Sequence, residues 1–396
     1  MSNEKLLPQI QSLADKYYPK MVQFRRHLHM NPELSYMEKE TSAFVSSVLK
    51  EAGIPHDINV GGYGIVAQLE GTGEGPAIML RADMDALPIQ EEGEKPYKST
   101  VPGVMHACGH DAHTSCLLGA LLILNECKKD WSGKVIGVFQ PAEEQSPGGA
   151  KAMLEDGLME KYKPSLAFGQ HVHPPLPSGK VAFIPGDAMA SADEIHLTVK
   201  GQGGHAAIVR DCIDPIPIAA QIIQALQTLV SRKADPFLPT VISIGKITTP
   251  GGASNVIPST VQLTGTMRTF NEDWRGEIHD RLTKMCKLIA ESNGGSCMVN
   301  IKKGYPSLYN HPELTMSARK KAEILLGKDQ VVEMDPRMTA EDFSYFALAM
   351  PACFFRLGTA APGQKKITPI HTPGFDIDEN ALRTGSMLMA WLAASK

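Results

Sequence analysis

The stretch Met105-His106-Ala107-Cys108-Gly109-His110-Asp111-Ala112-His113 puts three histidines, a cysteine and an aspartate into nine consecutive positions. Cys108 and His110 stand two residues apart. In an extended piece alternate side chains share a side, so thiolate and imidazole would face one point, and Gly109 between them allows a tight turn. That donor pair suits a zinc-like cation. A single His–Cys pair would more simply be a core cysteine beside a satisfied histidine, but the density here argues for a site. Further donors follow: Glu144 in Gln140-Pro141-Ala142-Glu143-Glu144, His171 in His171-Val172-His173-Pro174, and His371 in Pro369-Ile370-His371-Thr372-Pro373-Gly374. These five donors exceed the three that a catalytic zinc usually keeps, so a pair of ions sharing a bridge fits better. The thiolate favours zinc, while the nitrogen and oxygen donors also admit manganese, cobalt or nickel. Glu143 and Glu144 are neighbours whose side chains point apart. One can hold metal while the other takes a proton from an attacking water and passes it to a leaving nitrogen. The plainer alternative is a solvated acidic pair on a loop.

The elements that must position these groups read as strand–helix alternation. Lys20 to His29 and about Tyr36 to Ala52 are predicted helices, the first ended by Asn31-Pro32 and the second by Gly53. Ile65 to Leu69, Ala77 to Leu80, Val135 to Phe139 and Leu166 to Gly169 read as strands, Ala77 to Leu80 and Val135 to Phe139 as buried ones. Gly71 to Gly75 breaks dinucleotide-loop spacing and reads as a hairpin turn. A helix is expected from about Thr114 to Cys127 and another from Ala150 to Asp156. The polar groups fall just past the carboxyl ends of successive strands, where open α/β sheets place their sites. From Pro185-Gly186-Asp187 the pattern changes to strand (194–200), helix (215–232), strands (241–247 and 261–269), helix (274–291) and strand (298–302), the split βαβ layout. The fold class expected is therefore α/β: a mostly parallel-sheet domain (1–186 and 304–396) with a smaller ferredoxin-like α+β domain (187–303) inserted into it.

Composition bounds the function. The chain has 396 residues, 43% hydrophobic and 21% charged, with a net charge of −4, which favours two domains and points to neither nucleic acid nor a membrane surface. Seven scattered cysteines show no disulfide-framework spacing, and the N-terminus has no apolar leader core. A reducing, cytoplasmic setting is the expectation.

The motifs together resemble the M20 metallopeptidases, in the amidohydrolase branch that includes hippurate hydrolases, aminoacylases and auxin-conjugate hydrolases. The resemblance is carried in family order by Arg81 to Pro88, His106 to His113, Gln140 to Glu144, Gly203-Gly204-His205-Ala206-Ala207, Ser254-Asn255-Val256-Ile257-Pro258, Gly265 to Phe270, Glu341 to Phe346 and His371. It implies a dinuclear site held by Cys108, His110, Glu144, His171 and His371, with Glu143 as general base and acid. It also implies that His205, on the smaller domain, helps hold the oxyanion in a partner subunit's active site, and that Asn255 and Arg268 hold a substrate carboxylate. Asp83 or Asp85 would orient a ligand from behind. His106, His113 and His173 read as supporting rather than ligating, and His27 and His29 carry no signal beyond their place at a helix end. The chain departs from the family at Ile208-Val209-Arg210, at Gln145-Ser146-Pro147 and at His173, without losing a ligand.

The resulting expectation is a homodimeric, metal-dependent amidohydrolase with two divalent ions per subunit, cleaving an N-acyl amino acid. A dipeptidase or carboxypeptidase would use the same chemistry on a short peptide. A non-catalytic metal-binding protein on the same scaffold, and a cysteine-nucleophile hydrolase built on Cys108, are the readings from other classes.

Overall fold

The computed structural model describes residues 3–251 and 253–395. The chain divides into two compact units: Met1–Ala188 with Tyr309–Pro336 and Asp342–Lys396, and Met189–Leu308 with Arg337–Glu341.

The first unit is built on an eight-stranded sheet. Its order is His56–Val60, Gly64–Glu70, Lys134–Gln140, Ala77–Asp83, Leu166–Pro177, Ala352–Ala360, Val181–Phe183 and Val331–Glu333. The four strands at its centre are mutually parallel, as expected of near-continuous apolar runs buried on both faces. Helices Asn3–Met30, His110–Glu126 and Asn380–Ala394 contribute to its core through residues such as Met21, Leu117, Leu121 and Trp391. Helix His110–Glu126 is buried from His110 through Leu124. It has no polar face to turn to water, and each buried leucine contributes roughly 1.5–3 kcal/mol.

Four sequence expectations need correction here. The first helix starts at Asn3, not Lys20, and runs through Pro8 and Pro19. Burial of Leu6, Ile10, Leu13 and Ala14 overrides the local proline signal. Gly71 to Gly75 is not a hairpin turn, because strand Lys134–Gln140 lies between the two strands it connects. The loop instead bonds along the entry to that inserted strand, with Gly71 N donating to Gly133 O and Thr72 N to Trp131 O. The strand that begins at Leu166 continues to Pro177, so His171 and His173 lie within it. His110 opens a helix rather than continuing an extended piece.

The second unit carries a four-stranded antiparallel sheet in the order Thr240–Thr248, Thr260–Thr269, Asp193–Lys200, Ser296–Lys303. Helices Pro215–Lys233 and Glu272–Ser292 pack their apolar stripes, including Ile218, Ile222, Leu226, Ile278 and Leu282, into a separate core. Both helices are capped by side chains, Asp214 accepting from Ile216 N and Asn271 from Trp274 N.

Candidate metal centre

The donors come from strands, a helix start and a loop. Asp83 closes Ala77–Asp83, Glu143 and Glu144 follow Lys134–Gln140, and His171 lies in Leu166–Pro177. Cys108 and His110 flank Gly109, whose φ of 86° is left-handed. A Cβ at Gly109 would sit 2.7 Å from Val172 Cγ2, so both conformation and space require glycine there. The two donors do meet, by this turn rather than by strand alternation.

The five predicted ligands form one linked cluster. Cys108 Sγ lies 3.4 Å from His171 Nε2 and 3.3 Å from His371 Nε2. Glu144 Oε1 lies 3.2 Å from His371 Nε2 and 3.9 Å from His110 Nε2. Ligand atoms of Cys108, His110 and His171 fall within 4.8 Å of one another, as do those of Cys108, Glu144 and His371 and those of His110, Glu143 and Glu144. Donors roughly 3–4 Å apart match the spacing around an ion with bonds of about 2.0–2.3 Å.

Residues behind the donors fix their orientation. Asp85 Oδ1 is 3.1 Å from His110 Nδ1, which turns His110 Nε2 toward the cluster. His171 Nδ1 donates to the Val172 carbonyl at 2.8 Å, leaving its Nε2 beside Cys108. His113 is occupied on both sides: the Val172 N–H donates to its Nε2 at 2.9 Å, so its Nδ1–H faces Asp83 Oδ1 at 2.6 Å. It is therefore a support rather than a ligand. Asp83 also accepts from Arg81 Nη1 at 2.6 Å, and Arg81 Nη2 reaches Asp342 at 2.8 Å. His371 has a left-handed φ of 60° and donates its N–H to the Ala107 carbonyl. Farther along the same loop, Asp376 accepts from Arg25 Nη2 at 2.6 Å, and Arg25 Nε also donates to Asp111 at 2.9 Å.

The electrostatics favour a cation. Burial works against the charge on His110, yet Asp83, Asp85 and Glu144 push its pKa up to about 10. Burial, joined by the Glu144 and Glu143 carboxylates, raises the Cys108 thiol well above its ordinary value, so cysteine carries its proton until a positive charge arrives. Burial, with His113 and Arg356 nearby, holds His171 neutral, the form in which imidazole binds metal. His110 Nε2 and Glu144 Oε1 are buried and make no hydrogen bond among the described residues, the His371 imidazole lying beside Glu144 Oε1. Such atoms are costly unless something completes them. Two orphaned donors, a buried thiol and an excess of carboxylates fit a divalent metal.

The other predicted residues lie in the second unit. His205 is exposed on the short strand Gly204–His205, opposite Val256, and its Nδ1 accepts from Ala207 N at 3.1 Å. Asn255 adjoins it, its carbonyl accepting from Ala206 N at 3.0 Å. Arg268 is on a different strand, opposite Val241, where burial lowers its pKa and Asp193 opposes that. The structure thus brings His205 and Asn255 together and leaves Arg268 on its own strand.

Sequence reading passed over several contributors. His29 is fully buried between Asp111 Oδ2 at 2.7 Å and Glu91 Oε1 at 3.0 Å. Burial would lower its pKa, but those two carboxylates raise it. Ser35, Tyr36 and Glu38 also touch the site's supports. No local pattern marks any of them, since their partners are about 50 to 110 positions away.

Comparison with known proteins gives the family. Residues 79–395 match the model of peptidase family M20/M25/M40. YhaA of Bacillus subtilis (strain 168) is 39% identical, covering 99% of this chain and 98% of its own. Thermostable carboxypeptidase 2 of Saccharolobus solfataricus is 39% identical over 98% of both chains. N-acetyl-L-cysteine deacetylase of Bacillus subtilis is 39% identical over 93% of this chain and 86% of its own. Among solved structures, the Bacillus subtilis YXEP protein, described as a dinuclear metal-binding peptidase of the M20 family, superposes with a TM-score of 0.82 at 34% identity, covering 96% of this chain and 98% of that one. Fold and relatives are those of a metal-dependent amide hydrolase. The chain belongs to peptidase family M20/M25/M40.

Proposed function

We propose that the protein hydrolyses the amide bond of N-acyl amino acids, releasing a carboxylic acid and a free amino acid. The observation that carries this reading is the linked donor cluster with Glu143 beside it, buried and within 4.8 Å of donor atoms of His110 and Glu144. Cys108, His110, Glu144, His171 and His371 would hold two divalent ions, zinc by the softness of the thiolate, with manganese, cobalt or nickel as substitutes. When bound, such ions polarise the scissile carbonyl and make a water a competent nucleophile near neutral pH.

The chain's own residues do the rest. Glu143 accepts the proton of the attacking water and returns it to the leaving nitrogen, so the amine departs neutral. Asp83 and Asp85 keep the imidazoles aimed. His205, exposed in the second unit, donates to the developing oxyanion in the site of a partner subunit, which makes the working enzyme a homodimer. Asn255 and Arg268 hold the substrate carboxylate. Seven free thiols suit a cytoplasmic setting. Among the described residues no helix is long and apolar enough to cross a membrane.

Carboxypeptidase action on short peptides is the second reading, favoured by the similarity to thermostable carboxypeptidase 2. Release of free amino acid from N-acetyl, N-benzoyl and indole-acetyl amino acids, set beside dipeptides, separates the two. Faster turnover of the acyl amino acids is expected, and turnover of dipeptides alone would replace this reading with the second. Sedimentation of the active enzyme should give a dimer, and a fully active monomer would remove the role of His205.

A further inference from the structure

A short segment outside every recognised motif grips the turn that carries Glu143 and Glu144 on three sides. Ser35 Oγ donates to Asp85 Oδ2 at 2.6 Å, and the Glu144 N–H donates to that same oxygen at 2.9 Å. The Tyr36 hydroxyl donates to the Gln145 carbonyl at 3.0 Å and accepts from Gly148 N at 3.2 Å. Glu38 Oε1 accepts from Ala142 N at 2.7 Å and from Tyr36 N at 3.0 Å. The segment is itself anchored. Leu34 bridges to Ala86, and the Glu33 carboxylate accepts from Glu40 N and Thr41 N at the start of helix Lys39–Glu51.

Two features show that this grip is needed. Ala142 has a φ of 51° and Tyr36 a φ of 66°, left-handed conformations that cost a non-glycine residue about 1–2 kcal/mol each and persist where the surroundings over-determine them. One carboxylate oxygen bonds the amides of both strained residues. Glu38 is moreover completely buried, and its second oxygen, Oε2, has no hydrogen-bond partner among the described residues. A buried carboxylate is expensive, and what it does here is accept from Ala142 N and Tyr36 N. Ala142 leads directly into the glutamate pair. Without that acceptor the turn would relax toward ordinary backbone angles and re-aim Glu143 and Glu144 together.

We propose that Glu38 is a positioning residue for both glutamates, acting through the Ala142 N–H, with Ser35 and Tyr36 closing the same clasp. The proposal rests on the roles given to Glu143 and Glu144 above.

Its test compares Glu38→Ala, which removes the acceptor, with Glu38→Gln, which keeps one. kcat and KM are measured on the best N-acyl amino acid, and cobalt(II) is titrated into metal-stripped protein while its visible absorption is followed. Loss of such a supporting group typically costs about 10–100-fold in activity or metal affinity. Glu38→Ala should therefore lose about that much in kcat with KM within about threefold, bind cobalt about tenfold or more weakly, and shift its spectrum. Glu38→Gln should stay within about threefold of the parent in each. A folded Glu38→Ala protein with parental kcat and cobalt spectrum would overturn the proposal, as would equal losses in the two variants. If Glu38→Ala does not fold, Tyr36→Phe carries the test: the residue is 40% exposed, and only the two hydroxyl bonds are lost. A fall in kcat with a shifted cobalt spectrum supports the clasp, and parental values for both overturn it. A Glu143→Gln control separates the two ideas. Full activity in that control removes the proton-transfer role given to Glu143, while the cobalt spectra still decide the clasp.

Discussion

At the scale of single residues, the chemistry depends on which atoms are left over once the supports are satisfied. His113 spends both nitrogens on Val172 and Asp83, whereas His110 spends only Nδ1, on Asp85. That difference separates a histidine with both nitrogens taken from one with a nitrogen left over, and sequence spacing alone does not supply it. The donor types were legible: cysteine, histidine and glutamate crowded into a few short motifs are rare enough together to mark a site. In the proposed mechanism Glu143 stands apart from the ligands as the proton carrier. Glu143→Gln keeps its shape and removes its basicity, so kcat should fall about 10²–10⁴-fold while bound metal, counted by elemental analysis, is unchanged. Undiminished turnover in that variant would assign the proton transfer elsewhere.

At the scale of elements, the sequence revealed what is written in local periodicity and concealed what depends on distant partners. Apolar runs such as Val135 to Phe139 marked the buried strands, and the polar groups after them marked the site. The loop Gly71 to Gly75 misled because a chain cannot show locally that a strand beginning at Lys134 will pair between its neighbours. The grip of Ser35, Tyr36 and Glu38 was hidden for the same reason. Gly109 is the element-level hinge of the metal centre, ending one segment and opening helix His110–Glu126. Gly109→Ala should destabilise the protein by about 1–2 kcal/mol from the left-handed φ alone, with more from the clash at Val172. Urea unfolding measures this, and parental stability would mean that the turn can rearrange at no cost.

At the scale of the whole molecule, each unit has its own apolar core and its own buried charge network. In the second unit Asp193 is bound by Arg275 Nη2 and by His279 Nε2 at 2.7 Å. Burial opposes its charge, but Arg275 and His279 outweigh it and bring the carboxyl from 3.8 to about 2. A folded-state pKa below the unfolded one means that the ionised form stabilises the fold. That contribution is complete above about pH 4 and is lost as the pH falls toward about 2. The shift is worth on the order of 2 kcal/mol. In urea unfolding, Asp193→Asn should be less stable than the parent at about pH 6, with the gap closing as the pH drops to about 2. A gap independent of pH would show that the charge of Asp193 contributes nothing.

The central claim is that the cluster from Cys108 to His371 is a metal centre that drives amide hydrolysis. Stripping the protein with a chelator and restoring zinc, manganese or cobalt in steps, while release of free amino acid from an N-acyl amino acid is followed, tests it most directly. Turnover should vanish on stripping and return in proportion to bound metal, levelling at about two ions per chain as a bridged pair requires. Full turnover in the stripped protein would contradict the account.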